Sequence, residues 1–179
     1  MKRILIPLAN GFEETEAIAT ADVLRRANMD VVLAGIPGQI VEGAHGIKVI
    51  SDKKIEDARK EEFDAVVLPG GNPGYKNLSQ SNNVIDILRD FNSKKKLIAA
   101  ICASPSILAK LGILNDKKAT IFPGMEREIP RPRDSKVIVD GNVITSQGPG
   151  TTIDFALEIV TQLDSKFMAD DVREQIVHK

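Results

Sequence analysis

A single cysteine, Cys102, is the residue of this 179-residue chain best suited to nucleophilic chemistry. It follows the apolar run Leu97 to Ile101 and precedes Pro105 and a helical apolar pattern. A sharp strand-to-helix turn crowds the positions two residues away from a nucleophile, and Ala100 and Ser104 are small enough for such a turn. The N-terminus of the following helix would favour a thiolate, which attacks electrophiles and peroxide. The alternative is a buried cysteine that only fills space.

Other polar and glycine-containing segments also follow predicted strands. They are the Glu13, Glu14 and Glu16 group after Arg3 to Leu8, Gly70-Gly71 after Ala65 to Leu68, and Ser146 to Thr151 after Val143 to Thr145. Because ligands bind outside the carboxyl ends of parallel strands, these segments are expected to meet Cys102 in one pocket. The glycine pair could present N–H groups to an oxyanion, or it could be an ordinary tight turn. Acidic residues in a first helical turn are usually solvated.

The elements that must hold these residues alternate between short apolar strands and amphipathic helices. Strands of this kind are typical of a parallel sheet that is covered on both faces. One antiparallel hairpin is also predicted, around the reverse turn Asp140-Gly141-Asn142. With no repeat or linker in the sequence, we expect residues 1–179 to form one domain.

Composition excludes several classes of function. The chain has 24 basic and 25 acidic residues that are interleaved, which favours small molecules over nucleic acid or membrane as partners. One cysteine and two histidines cannot form an internal disulfide or a zinc cluster of Cys and His ligands, so no metal is expected. The apolar run near the N-terminus is too short for a signal peptide, and a cytoplasmic location is expected.

Four motifs taken together resemble the ThiJ/PfpI superfamily, most closely its parkinsonism-associated protein deglycase clade. They are Gly11-Phe12-Glu13-Glu14-Thr15-Glu16, Leu68-Pro69-Gly70-Gly71-Asn72, Ala99-Ala100-Ile101-Cys102-Ala103 and Gly148-Pro149-Gly150-Thr151. The resemblance runs from about Lys2 to Leu163. It implies a flavodoxin-like three-layer sandwich with a mainly parallel sheet, a cysteine nucleophile elbow and a class I glutamine amidotransferase-like domain.

The resemblance also assigns roles to residues. Cys102 would be the reactive cysteine and Glu16 a buried carboxyl that hydrogen-bonds its sulfur and stays protonated. The residues that bind the oxyanion or substrate would be Gly70, Gly71, Ala103, Gly148 and Pro149. The family is mostly homodimeric, and Asp22 and Arg26 match interface positions. His45 lies in a loop that approaches the neighbouring subunit's site in relatives.

Two departures from the family pattern bear on mechanism. Phe122, in Thr120-Ile121-Phe122-Pro123, stands where many relatives have a histidine near the cysteine. Ala103 stands where the protease branch has a histidine, so proteolysis is not expected. The resemblance therefore implies a cofactor-independent enzyme of the glyoxalase III or protein deglycase type, which converts small reactive aldehydes or early glycation adducts to hydroxy acids. The alternatives are a peroxide-responsive sensor or redox-regulated chaperone that works through oxidation of Cys102, and a noncatalytic scaffold.

Overall fold

A seven-stranded sheet forms the centre of the computed structural model, which describes residues 1–179. The strands of the whole structure are β1 (Arg3–Ala9), β2 (Asp30–Ile36), β3 (Ile40–Glu42), β4 (Lys48–Ile50), β5 (Lys53–Lys54), β6 (Ala65–Leu68), β7 (Leu97–Ile101), β8 (Val137–Asp140) and β9 (Val143–Ser146). The order in the sheet is β5-β2-β1-β6-β7-β9-β8, and every pairing is parallel except β8 with β9. Strands β3 and β4 form a separate antiparallel hairpin.

Helices cover both faces of this sheet. They are α1 (Glu14–Arg26), α2 (Ile55–Ala58), α3 (Gly74–Gln80), α4 (Asn82–Ser93), α5 (Pro105–Lys110), α6 (Thr152–Leu163) and α7 (Lys166–Gln175). Helices α1, α6 and α7 contribute to one buried apolar cluster, and α2, α3, α4 and α5 contribute to the other. The expected α/β flavodoxin-like architecture with a mainly parallel sheet is confirmed. No helix has the length and apolar character that crossing a membrane requires.

Strand β1 shows how buried side chains are divided between the two apolar clusters. Successive side chains of a strand point to opposite faces of its sheet. Accordingly, Ile4, Ile6 and Leu8 are buried in the cluster beneath α1, whereas Leu5 and Ala9 are buried in the cluster beneath α4. A strand that is apolar on both faces suits the middle of a parallel sheet, and this explains the continuous apolar run in the sequence.

The register of the sheet brings the predicted site segments to one edge. Ala65 of β6 pairs with Leu97 of β7, and Ile101 at the end of β7 pairs with Ser146 at the end of β9. The chain therefore leaves β6, β7 and β9 at the same edge, which is the carboxyl end of the parallel strands. Helix α1 begins after β1 at this edge as well.

Candidate active site

Cys102 lies in the sharp turn between β7 and α5, with a backbone φ of 64°. A non-glycine residue in this left-handed region is strained and persists only where its surroundings hold it. Here the Cys102 N–H donates to the Ser146 carbonyl at 3.0 Å, and its carbonyl accepts from the Phe122 N–H at 2.9 Å. The neighbouring strand β9 and the loop that contains Phe122 thus fix the turn that presents the sulfur.

Glu16 lies beneath this turn, in the first turn of α1, and is 1% exposed. One carboxyl oxygen, Oε2, accepts the Gly70 backbone N–H at 2.7 Å. The other, Oε1, is buried without a partner of good hydrogen-bond geometry, and the Cys102 thiol is the neighbouring group that interacts with the carboxyl. The Glu13 N–H also donates to the Gly70 carbonyl at 3.0 Å, so α1 and the glycine turn are tied together at two points.

The Gly70-Gly71 turn is shaped by the absence of side chains. A Cβ atom on Gly70 would lie 2.6 Å from the Cys102 Cβ and 3.0 Å from both the Cys102 sulfur and Glu16 Oε2. Gly71 has a φ of 92°, and a Cβ there would collide with the backbone of Glu13. Glycine at both positions therefore allows the turn to pack directly against the thiol and the carboxyl.

Of the three residues Gly70, Gly71 and Ala103 that were expected to bind the oxyanion or substrate, two direct their backbone N–H groups at the sulfur. The N–H groups of Gly71 and Ala103 face the Cys102 sulfur. The Gly70 N–H is already bonded to Glu16, so its role is to hold the carboxyl rather than to bind an oxyanion. An oxyanion formed beside the sulfur would have Gly71 and Ala103 as its backbone donors.

The surroundings of the thiol and carboxyl disfavour negative charge on both. Burial raises the pKa of Glu16 to about 7, although the bond from Gly70 opposes this rise. Burial, with the charge of Glu16, raises the pKa of Cys102 to about 12, although the Gly71 and Ala103 N–H groups oppose this rise. The expectation of a raised Glu16 pKa agrees with this geometry, whereas the expectation that the helix N-terminus makes Cys102 a ready thiolate does not. Helix α5 has only six residues, and burial is the largest cause of the raised Cys102 pKa.

The two groups therefore act as one acid pair. Between the two pKa values the pair carries a single negative charge, which the carboxylate and the sulfur share through the proton between them. A carboxylate that titrates near neutral pH beside a thiol can accept the thiol proton while the sulfur attacks an electrophile. This arrangement provides a nucleophile without a free thiolate in the resting state.

Phe122 and Gly148 form part of the surroundings of the turn. Phe122 is 43% exposed, and a Cβ on Gly148 would lie 3.4 Å from its ring. The Gly148-Pro149 segment therefore lies beside the loop that bonds to Cys102, as expected from the order of the strands. Phe122 offers no group that titrates, so Glu16 is the acid or base closest to the sulfur.

The two residues expected at a dimer interface pair with each other. Arg26 Nε donates to Asp22 Oδ2 at 2.8 Å on the exposed side of α1. His45, from the β3–β4 hairpin, has a 70% exposed side chain, and its Nδ1 lies 2.9 Å from Glu14 Oε2. Contact of these residues with a partner subunit stays a prediction.

The expectation of no metal site considered only cysteine and histidine ligands, and it stays a prediction. Glu13, Glu14 and His45 have ligand atoms that all lie within 4.8 Å of one another, a spacing that could hold a metal ion. Sequence reasoning missed this group because His45 is 31 positions from Glu14 and only the hairpin fold brings them together.

Comparison with known proteins places these features in a family. The profile of the DJ-1/PfpI family matches residues 2–162. Drosophila melanogaster protein dj-1beta is 40% identical over 98% of this chain and 97% of the relative. Arabidopsis thaliana DJ-1 homolog A is 39% identical over 96% of this chain, which spans only 45% of that longer relative.

A third relative and a solved structure carry more specific descriptions. The Caenorhabditis elegans protein named glutathione-independent glyoxalase DJR-1.2 is 35% identical over 90% of this chain and 87% of the relative. The structure of oxidised Toxoplasma gondii DJ-1 superposes with a TM-score of 0.97, at 34% identity, and covers 99% of this chain and 98% of that chain.

Proposed function

Because this chain belongs to the DJ-1/PfpI family, we propose that it is a cofactor-independent cysteine enzyme that converts small reactive aldehydes to hydroxy acids. The observation that carries the proposal is the pairing of the strained Cys102 with the buried carboxyl of Glu16. The relative named as a glutathione-independent glyoxalase supports the class of reaction. Early adducts of such aldehydes on protein amines are a second substrate of the same chemistry.

In the first step the Cys102 sulfur attacks the aldehyde carbon of a dicarbonyl such as methylglyoxal. The Glu16 carboxylate accepts the thiol proton as the carbon–sulfur bond forms, and the electron pair of the C=O bond moves onto oxygen. The Gly71 and Ala103 N–H groups, which face the sulfur, would stabilise that oxyanion. Glu16 then returns the proton to the oxygen, and the product is a hemithioacetal.

The second step needs no external oxidant. Glu16 moves the proton on the former aldehyde carbon to the adjacent ketone carbon through an enediol. The first carbon is thereby oxidised to a thioester while the second is reduced to an alcohol. Water then cleaves the thioester to the hydroxy acid and the free Cys102 thiol. Because Phe122 replaces the histidine of many relatives, Glu16 handles every proton and turnover should be slow.

The test is lactate formation from methylglyoxal by freshly reduced protein without glutathione or added metal. Wild type should form lactate, Cys102→Ser should form none above buffer, and Glu16→Gln should be slower by about a hundredfold or more. Glu61→Gln is the matched control, since it makes the same change far from Cys102, and it should retain wild-type activity. Unchanged turnover in Cys102→Ser would rule the mechanism out.

A peroxide-responsive sensor is the second candidate, and the N–H groups at the sulfur favour it. The Cys102 sulfur would take one oxygen from each peroxide molecule, with release of water each time, and the Gly71 and Ala103 N–H groups would bind the added oxygen atoms. Mass spectrometry after mild peroxide should then show selective oxidation of Cys102 that Glu16→Leu diminishes. Insensitivity of Cys102 to peroxide would remove this candidate.

We also propose a homodimer formed through the outer side of α1. Ile18 is 41% exposed on this helix, near the Asp22–Arg26 ion pair, and an exposed apolar residue beside a charged pair suits an interface. Sedimentation equilibrium should give twice the mass of the 19.5 kDa chain, and Ile18→Arg should give a monomer. A monomeric wild type at micromolar concentration would contradict the proposal.

A further inference from the structure

We propose that Glu13, Glu14 and His45 form a binding site for a divalent transition-metal ion such as zinc, at the junction of α1 and the β3–β4 hairpin. The three residues offer two carboxylate oxygens and one imidazole nitrogen. Zinc accepts nitrogen and oxygen ligands of this kind, and three protein ligands with one open position are typical of its non-structural sites.

The backbone fixes both carboxylates before any ion binds. Glu14 Oε1 accepts the His45 N–H at 2.7 Å and lies 3.4 Å from the Ile47 nitrogen, another donor. Glu13 Oε1 accepts the Thr15 N–H at 3.2 Å. Each carboxyl therefore uses one oxygen to hold its position and directs the other, Oε2, towards the His45 ring.

The spacing of the free ligand atoms fits a small ion. His45 Nδ1 lies 2.9 Å from Glu14 Oε2 and 3.5 Å from Glu13 Oε2. Ligands at about 2.05 Å from a tetrahedral zinc ion are about 3.3 Å apart, so small side-chain adjustments would admit the ion. Gly43 helps to fix the arrangement, because a Cβ there would lie 2.6 Å from the Glu14 Cγ.

The charge of the group also favours a dication. The side chains of Glu13 and Glu14 are only 12% and 8% exposed, and His45 is the one basic group that pairs with either of them. Two sheltered carboxylates facing a single imidazole leave negative charge that a divalent ion would neutralise. The His45 side chain is 70% exposed, so water can occupy the open coordination position.

The experiment is isothermal titration of the full chain with zinc chloride in a Cys102→Ser background, where the thiol cannot contribute. One zinc ion per chain is expected. His45→Ala and Glu13→Gln should each raise the dissociation constant by about tenfold or more. The other histidine provides the matched control: His178→Ala, near Asp154, should bind zinc like the parent. His45 is exposed, so its variant should fold, as circular dichroism can verify.

Three results would overturn the proposal. The first is no stoichiometric zinc binding, which would leave Glu14 and His45 as an ion pair only. The second is zinc binding that His45→Ala leaves unchanged, since the ion would then be elsewhere. The third is full displacement of zinc by equimolar magnesium, which would indicate attraction to a negative surface, because magnesium prefers oxygen ligands and does not need the imidazole.

Discussion

The group around Arg3 at the amino-end edge of the parallel sheet and the Cys102–Glu16 pair at its carboxyl-end edge differ in how their surroundings act on charge. At the amino-end edge, Arg3 lies 2.8 Å from Glu61 and 2.7 Å from Asp30. The hydrogen bonds that Arg3 donates to Glu61 and Asp30 raise the pKa of Arg3, and those that Lys53 and Arg3 donate to Glu61 lower the pKa of Glu61. Every shift at this edge favours the charged form.

At the carboxyl-end edge, burial raises the pKa of Glu16 to about 7 and that of Cys102 to about 12, so both shifts in this pair disfavour the charged form. No basic residue pairs with Glu16. Groups whose surroundings shift the pKa against the usual charged form are typical of active sites. We therefore propose that the Arg3 group stabilises the fold, whereas the Cys102–Glu16 pair provides reactivity at some cost in stability.

The largest expected effect separates the edges by activity. Cys102→Ser should lower kcat/KM for methylglyoxal by at least about a thousandfold, because the attacking sulfur is lost. Arg3→Ala should leave kcat/KM within about twofold, because it changes only the other edge. Steady-state lactate assays on both variants measure these changes. Comparable losses of kcat/KM in the two variants would contradict the proposed difference between the edges.

A second prediction concerns pH and stability, with opposite signs at the two edges. The Glu16 pKa rises from 4.5 to about 7 on folding, so the contribution of Glu16 to stability is greatest below about pH 4.5 and is lost as pH rises to about 7. Glu16→Gln should therefore gain stability relative to wild type over that interval, by up to about 3 kcal/mol. Glu61→Gln should instead lose stability relative to wild type. The pKa of Glu61 is lowered on folding, so its carboxylate stabilises the fold at pH values above the pKa of the unfolded state.

Urea unfolding at pH 4.5, 6 and 8 measures these differences. The control is internal, since both variants replace glutamate by glutamine. Destabilisation of both variants at pH 8 would show that Glu16, like Glu61, is stabilised as a charged group, and the contrast between the edges would fail.

A third prediction adds bulk where the thiol and carboxyl meet. Gly70→Ala would place a methyl group 2.6 Å from the Cys102 Cβ and 3.0 Å from its sulfur, which forces the pair apart. Lactate formation should fall by about tenfold or more. Gly38→Ala is the matched control, because a Cβ there meets nothing within 4 Å. Equal activities of the two variants would show that the close packing at Gly70 is unimportant.

The smallest expected effect is at the amino-end edge. Arg3→Met should lower the free energy of unfolding by about 1 kcal/mol or less, because ion pairs with exposed partners contribute little. The Arg3 side chain is 33% exposed and also lies over the Phe63 ring at 4.8 Å, so methionine retains part of that packing. Thermal unfolding at low and high salt measures the loss, and a cost well above 2 kcal/mol would assign this edge a larger role.

Much of the fold could be predicted from the sequence because the relevant signals are local. The apolar runs Ala65–Leu68 and Leu97–Ile101 match β6 and β7 residue for residue. The Asp140-Gly141-Asn142 turn also predicted the β8–β9 hairpin. The elbow at Cys102 was expected from its small neighbours, and its φ of 64° agrees.

Contacts between distant segments could not be predicted in this way. Glu16 is one of three acidic residues around the start of α1, and its local sequence does not distinguish it; only the packing of α1 against Gly70 buries it. The same packing occupies the Gly70 N–H, which the glycine pattern assigned to an oxyanion. The raised pKa of Cys102 depends on burial and on Glu16, neither of which local sequence records.

The pH dependence of Cys102 alkylation by iodoacetamide tests the acid pair most directly, because it needs no assumption about substrate. In wild type the rate should rise through about pH 7, where the pair loses its first proton. In Glu16→Gln that step should vanish, and the thiol should titrate alone with a pKa below 12 because the repulsion from Glu16 is gone. Identical profiles in the two proteins, with one step near the ordinary cysteine value, would contradict the account.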